Sequence, residues 1–187
     1  LIVVPIVRRI PPRVVVPGAL AFSAAGYVTV AFASQDGALA TLVIAFCLLG
    51  LGIGMAETGS NDLILAAAPP HKAGAASAVS ETAYELGAVL GTAVLGGLLT
   101  AFYRTNIELP AGLSAADGAA ARETLAGAVN VSESVGGDLG AQLMSAAAHA
   151  FDGGVLVTAL IGAGLIVIAG AIAALLTEGL QALIPHE

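Results

Sequence analysis

The chain has 187 residues, of which 58% are hydrophobic and only 10% charged, with a formal charge of -7 and a mean hydropathy of +0.96. Those values lie outside the usual mixture of a soluble domain, and the acidic balance, with Lys and Arg gathered in no groove, excludes a nucleic-acid-binding class. The apolar residues fall in long uncharged blocks, so lipid rather than a single buried core must absorb them, and the expected fold is all-α, a polytopic bundle of transmembrane helices.

The chain opens Leu-Ile-Val-Val-Pro-Ile-Val and then meets Arg8 and Arg9. Leu1 to Val7 is too short to span a hydrocarbon layer that needs about 20 helical residues, and a signal peptide would place its basic residues first. Residues 1–10 therefore read as the end of a truncated transmembrane helix with its cytoplasmic loop, and the chain as a fragment of a longer protein. The first complete span is expected over about 14–33, with Pro17 near its entry, where a missing amide hydrogen costs least. Asp36 and Gly37 mark a turn. The second span, about 38–68, is uncharged to Ala56, then carries Glu57 and Asp62, and stops at Pro69 and Pro70. The third, about 73–101, carries Glu81 and Glu85; the last runs over about 151–177, with no charge between Asp152 and Glu178.

Orientation follows from basic residues beside the spans, which favour the cytoplasm. With alternating spans Arg8, Arg9, Arg13 and Lys72 share one side, and the tail over 178–187 joins them there. The opposite side takes the Asp36 turn and the segment over 102–150, which holds Arg104 and Arg122 among several acids. That segment is too long for an ordinary connection and reads as an extracytoplasmic helical hairpin lying over the membrane. Ser114 caps a helix through Asp117, Arg122 and Leu125 to about Val131; Gly136-Gly137 breaks it, and Leu139, Leu143, Ala146 and Ala150 form the stripe of a second helix. No residue in it requires a gating or partner-binding role.

Glu81 and Glu85 stand four apart, so on a helix they share a face with about 5–6 Å between Cβ atoms. A central intramembrane charge costs on the order of 2.5–3.5 kcal/mol by insertion scales, and such groups face cavities and mark ion or substrate paths. In lipid the pair favours holding a proton, whereas an arriving organic cation favours the ionised form. Proton and cation then exclude one another, which is the minimum chemistry of an antiporter. The plainer reading of Glu81, about two turns after Lys72, is a side chain that snorkels to the headgroups; Glu85 lies one turn further in, roughly 6 Å by helical rise. Tyr84 offers a ring face to a cation or anchors the helix at the interface.

Glu57, Asn61 and Asp62 form a second polar cluster after Gly50, Gly52 and Gly54. Glu57 shares a face with Asn61 and is a third candidate for the transport path, while Asp62 reads as a structural group near the cytoplasmic loop. These glycines suit close helix contact rather than phosphate binding, because no Lys-Ser/Thr follows. Gly87 and Gly91 give a GxxxG spacing extended by Gly96 and Gly97, suited to packing within one transporter or to dimerisation, and the last span adds Gly162, Gly164 and Gly170. His71, His149 and His186 are placed in loops or the tail, no nucleophile, base and orienting acid group by spacing, and metal-ligand spacing is absent. Neither an enzyme nor a cofactor is expected, and Cys47 reads as a small packed residue.

The stretch Gly50-Leu-Gly-Ile-Gly-Met-Ala-Glu-Thr-Gly-Ser-Asn-Asp62, followed by Ala68-Pro-Pro-His-Lys-Ala-Gly-Ala-Ala-Ser-Ala-Val-Ser-Glu-Thr-Ala-Tyr-Glu-Leu-Gly-Ala-Val-Leu-Gly91, resembles the major facilitator superfamily. More narrowly, it resembles the fourteen-helix drug:proton antiporters of the QacA-like quaternary-ammonium efflux branch. The resemblance covers essentially the whole chain and is strongest from Gly50 to Gly97. It implies that the complete spans are the eleventh to fourteenth helices of a multidrug efflux protein of the inner (plasma) membrane, which exchanges lipophilic cations for protons and confers antibiotic resistance. Glu81 and Glu85 then match acids of the thirteenth helix that the resemblance implicates in binding cationic drugs. The implied partners are lipophilic cations, protons, the lipid bilayer and the N-terminal part of the same transporter. The acidic residue of the first helix, the antiporter motif of the fifth and the loop after the second would all precede Leu1, so direction and coupling rest on the resemblance alone. Two alternatives stay open: an exporter of another solute such as a lipid, siderophore or antibiotic, and a non-transporting membrane module that binds a partner through the outer hairpin.

Overall fold

The computed structural model describes residues 12–36 and 39–183, with side chains over 15–33 and 39–175. Leu1 to Val7, Arg8, Arg9, Gly37 and His186 lie outside the described residues, and with them the expected severed helix end, part of the Asp36 turn and the end of the tail. The described residues are helical, joined by short turns, with no strand among them.

Helix α1 (Pro12–Asp36) contains Pro17, whose missing N–H falls near the start of the helix. Helix α2 (Leu39–Ala67) carries its apolar run past Glu57 and Asp62. Its last bond runs from the Ala68 amide to the Ile64 carbonyl at 3.1 Å, after which Pro69 takes φ -58° and ψ 143° and Pro70–Lys72 form a single 3-10 turn. The two prolines stop α2 because neither can donate to the ladder, and the residue before a proline avoids the helical region. Helix α3 (Ala73–Asn106) follows at once, and the 34 residues carry it well past the Ala101 limit expected from composition.

Helices α4 (Ala115–Glu123) and α5 (Leu125–Val135) replace the one helix expected after Ser114. The Ser114 hydroxyl oxygen accepts from the Asp117 amide at 3.1 Å, as a cap should. Thr124 is the unforeseen break: it takes an extended conformation (φ -151°), and its Oγ1 accepts from the Gly127 amide at 3.0 Å, ending α4 and capping α5 with one residue. Gly136 and Gly137 have φ of +64° and +58°, a left-handed bend that only glycine enters cheaply.

Beyond them α6 (Gly137–Leu183) runs unbroken for 47 residues, so the second arm of the expected hairpin and the expected last span are one helix. His149, expected in a loop, therefore lies on a helix. At 1.5 Å per residue α6 extends about 70 Å, against a hydrocarbon core of about 30 Å, so part of it must lie outside lipid. It runs on through Gly153 and Gly154, on which α3 packs: a Cβ on Gly153 would meet the Phe102 ring at 3.1 Å, and one on Gly154 the Leu99 side chain at 2.7 Å.

Among the described residues, four segments are long and apolar enough to cross a membrane: Val15–Ala33, Leu39–Ala67, Pro70–Asn106 and Gly137–Leu175. Their outward faces carry large apolar side chains such as Phe32, Phe46, Val79 and Leu175, the surface lipid or further helices would cover. Cys47, expected to be packed, is exposed on this surface.

The chain forms two compact units. One holds α1 to residue 33, α2, residues 73–89 of α3 and residues 159–183 of α6; the other holds α4, α5 and residues 90–106 and 137–158 of the two long helices. In the first, small residues set the helix spacing. A side chain at Gly52 would strike the Ala19 carbonyl at 2.8 Å and the Ser23 amide at 2.6 Å, one at Gly59 the Val15 side chain at 3.1 Å, and one at Gly162 the Tyr27 ring at 3.0 Å. The second has its own apolar core of Tyr103, Ile107, Ala121, Ala128, Val131, Leu143, Ala147 and Ala150, with Leu143 fully buried. Tyr103 donates its hydroxyl to the Ala121 carbonyl at 2.8 Å, Arg104 Nε to the Glu123 carbonyl at 3.1 Å, and Arg122 returns a bond to the Arg104 carbonyl at 3.3 Å. The first two bonds occupy carbonyls that the end of α4 leaves free, and the third occupies one near the end of α3.

Candidate cation and proton site

Within the first unit α2 and α3 run on either side of the Pro69-Pro70 turn, so residues equally distant from that turn come level. Glu57 and Asn61 of α2 thus approach Ser77, Glu81 and Tyr84 of α3, and the Tyr84 hydroxyl donates to the Glu57 backbone carbonyl at 3.4 Å.

A cavity of about 550 Å³ opens among α1, α2, α3 and α6. Its apolar wall includes Val16, Leu20, Ile53 and Ile166; Glu57, Glu81, Glu85 and Tyr84 line it too, as do Ser23 and Ser60. The three carboxylates and the tyrosine singled out from the sequence therefore face one space, although Glu57 comes from a different helix. All three glutamates are exposed in this chain, whereas Tyr84 is half-buried. The Ser23 hydroxyl is buried and donates to the Ala19 carbonyl at 3.2 Å, which satisfies it within its own helix.

A second cavity, of about 430 Å³, shares Glu57, Glu81 and Tyr84 with the first and adds Gly54, Thr58, Asn61, Asp62 and Ser77. Its walls are mostly polar. Asp62, read from the sequence as structural, thus lies on the same cavity as two of the candidate acids. Next to Glu81 on α3, the Ser80 hydroxyl is buried without a hydrogen-bond partner, an arrangement that costs about 1–3 kcal/mol unless something else satisfies it.

Chemically, a concave space with an apolar wall and clustered carboxylates suits a lipophilic cation: the wall takes the hydrocarbon and the acids take the charge. The Tyr84 ring adds a face of the kind that attracts cations. The apolar residues of α1 and of α6 in this wall were not foreseen, since nothing separates Val16, Leu20 or Ile166 from the lipid-facing residues around them.

Gly52 and Gly162, expected to permit close helix contact, do so. A Cβ at Gly87, Gly91 or Gly96 meets no atom within 4 Å, so no described helix packs on that stripe; within the first unit Gly26, Gly52, Gly59 and Gly162 are positions of close approach.

Comparison with known proteins agrees with this architecture. The sequence profile of the Major Facilitator Superfamily matches residues 1–116. The multidrug efflux pump LfrA of Mycolicibacterium smegmatis is 43% identical over 172 residues, which is 92% of this chain and 34% of that protein. The methyl viologen resistance protein SmvA of Salmonella typhimurium is 38% identical over 149 residues, 78% of this chain and 30% of that protein. A tetracenomycin C resistance and export protein of Streptomyces glaucescens is 44% identical over 54 residues, 29% of this chain and 10% of that protein. The chain spans about a third of the length of the first two. With its four apolar helices and this profile match, the chain is an all-α, multi-pass membrane segment that belongs to the Major Facilitator Superfamily, a family of transporters and not of enzymes.

Proposed function

We propose that this chain is the C-terminal part of a fourteen-helix drug:proton antiporter of the QacA-like branch, which exports lipophilic and quaternary ammonium cations across the cytoplasmic (inner) membrane. The observation that carries the reading is the cavity in which Glu57, Glu81, Glu85 and Tyr84 face an apolar wall. The names of LfrA and SmvA, which refer to multidrug efflux and to methyl viologen resistance, support it.

In this reading the four spans cross the bilayer with the C-terminus in the cytoplasm, and the segment over 102–150 lies outside. Glu85 and Glu81 carry the cation or a proton but not both, because two like charges one helical turn apart in low dielectric cannot ionise cheaply without a counter-charge. Glu57 adds a third carboxylate from α2, and Tyr84 adds its ring. The partner is the remainder of the same transporter, since the substrate path in such folds lies between two halves and neither half alternates access by itself.

The test uses the full-length parent in everted vesicles with an imposed proton gradient. Accumulation of methyl viologen that collapses when the gradient is dissipated is the expected result; accumulation indifferent to the gradient removes proton coupling. The second reading, export of another solute such as an antibiotic, is favoured by the shorter match to the tetracenomycin C exporter, and a transport panel that includes neutral drugs separates the two.

A further inference from the structure

The two cavities that share Glu57, Glu81 and Tyr84 differ in chemistry, and that difference assigns them different cargo. We propose that the polar cavity is a hydrated proton route to Glu57 and Glu81, separate from the apolar cavity that receives the organic cation. The inference rests on the antiport reading above and adds a path to it.

Space and polarity decide the assignment. A buried water needs room and two to four polar partners. A volume of about 430 Å³ lined by Thr58, Asn61, Asp62 and Ser77, besides the shared residues, supplies both. Beyond the shared residues the larger cavity offers only Ser60 and Glu85 as free polar lining, since Ser23 is bonded within its own helix, and these face a wall of Val16, Leu20, Ile53 and Ile166. Asn61, Asp62 and Ser77 are also nearer in sequence to the Pro69-Pro70 turn than Glu57, Glu81 and Tyr84 are, so the polar cavity extends from the level of Gly54 past the acids toward the turn.

With one entrance, a bulky cation entering the site would plug the exit of the proton it displaces. With two, the cation arrives against Glu85 and Glu81 from the apolar side while the proton leaves from the other. In that step the O–H bond of a protonated Glu81 breaks, a water takes the proton, and the Asp62 carboxylate or a further water passes it toward the turn. The carboxylate left behind pairs with the cation, and no redox change occurs. Tyr84, whose hydroxyl ties α3 to the Glu57 carbonyl, forms part of the partition.

Gly54 supplies the test, because it lines the polar cavity and a Cβ there meets nothing within 4 Å. Gly54→Leu therefore brings hydrocarbon to that cavity from a position where the first added carbon meets open space. The full-length parent, in lipid nanodiscs and weak buffer with a pH-sensitive dye, is mixed with methyl viologen in a stopped-flow instrument, and binding is measured separately with radiolabelled methyl viologen. The expected result is an affinity within about threefold of the parent with proton release slowed at least about tenfold. Gly54→Ala and Asn61→Leu, each checked for monodisperse protein, provide smaller and independently placed fillings should Gly54→Leu fail to fold. Release as fast in the filled variants as in the parent, with methyl viologen bound, overturns the route. A parent that binds methyl viologen and releases no proton fails one step earlier, at the exchange itself, and the route goes with it.

Discussion

The Tyr84 hydroxyl and the Glu57 backbone carbonyl meet at 3.4 Å across α3 and α2, 27 residues apart in sequence. The bond lies where the two cavities adjoin, and at that length it is weak, so the ring rather than the hydroxyl is the larger contribution of Tyr84. Tyr84→Phe should cost under about 1 kcal/mol of stability and leave methyl viologen binding nearly intact. Tyr84→Ala should weaken binding by about 0.5–2 kcal/mol through the lost ring face. Equal losses from both variants in a binding titration would show that the hydroxyl, and not the ring, matters.

Glu85 lines only the apolar cavity, whereas Glu81 lines both. Glu85→Gln keeps shape and removes a charge, so it should reduce efflux of divalent organic cations more than monovalent ones. A charged contact of about 1.5–3 kcal/mol corresponds to about a 10- to 100-fold loss in affinity for the divalent class. Resistance assays with methyl viologen and ethidium, at matched protein level, check this; unchanged resistance to both removes Glu85 from the site.

Gly52 is the tightest helix crossing in the first unit, and Gly87 has open space where a side chain would be. Gly52→Ala should destabilise the full-length protein by about 1–3 kcal/mol, since the new methyl must displace the backbone of α1 at Ala19 and Ser23. Gly87→Ala should be neutral or add up to about 1 kcal/mol by favouring the helix, as long as no helix from the rest of the transporter packs there. Thermal denaturation in detergent ranks the two. A marked loss for Gly87→Ala instead would indicate that a helix outside this chain occupies the GxxxG face.

Tyr103 is buried, and its hydroxyl reaches the Ala121 carbonyl at 2.8 Å and the Thr124 carbonyl at 3.4 Å. Tyr103→Phe leaves those carbonyls short of a donor beside the core of α4, α5 and α6 and should cost about 1–3 kcal/mol locally. Leu143→Ala, at the fully buried centre of that core, should cost about 2–5 kcal/mol. Hydrogen exchange over 107–150 reads both directly. Protection unchanged in Leu143→Ala would mean that this segment is held by something other than its own apolar core.

The sequence by itself determined the class. Uncharged apolar blocks of span length are a local property, so four membrane helices, the stop at Pro69-Pro70, the cap at Ser114 and the glycine break at Gly136-Gly137 were all legible without a fold. Intramembrane acids are conspicuous by cost, which is why Glu57, Glu81 and Glu85 stood out one by one. Only the tertiary structure decided what depends on residues distant in the chain. It put Glu57 level with Glu81 and Tyr84, chose Gly52 over the GxxxG pair for close contact, and selected Val16, Leu20 and Ile166 as a cavity wall from many apolar residues that look alike. It also carried α6 through Asp152-Gly153-Gly154, with the Leu99 and Phe102 side chains of α3 packed beside those glycines. In each case an apolar helix surface reads the same whether lipid or another helix covers it, and only packing tells the two apart.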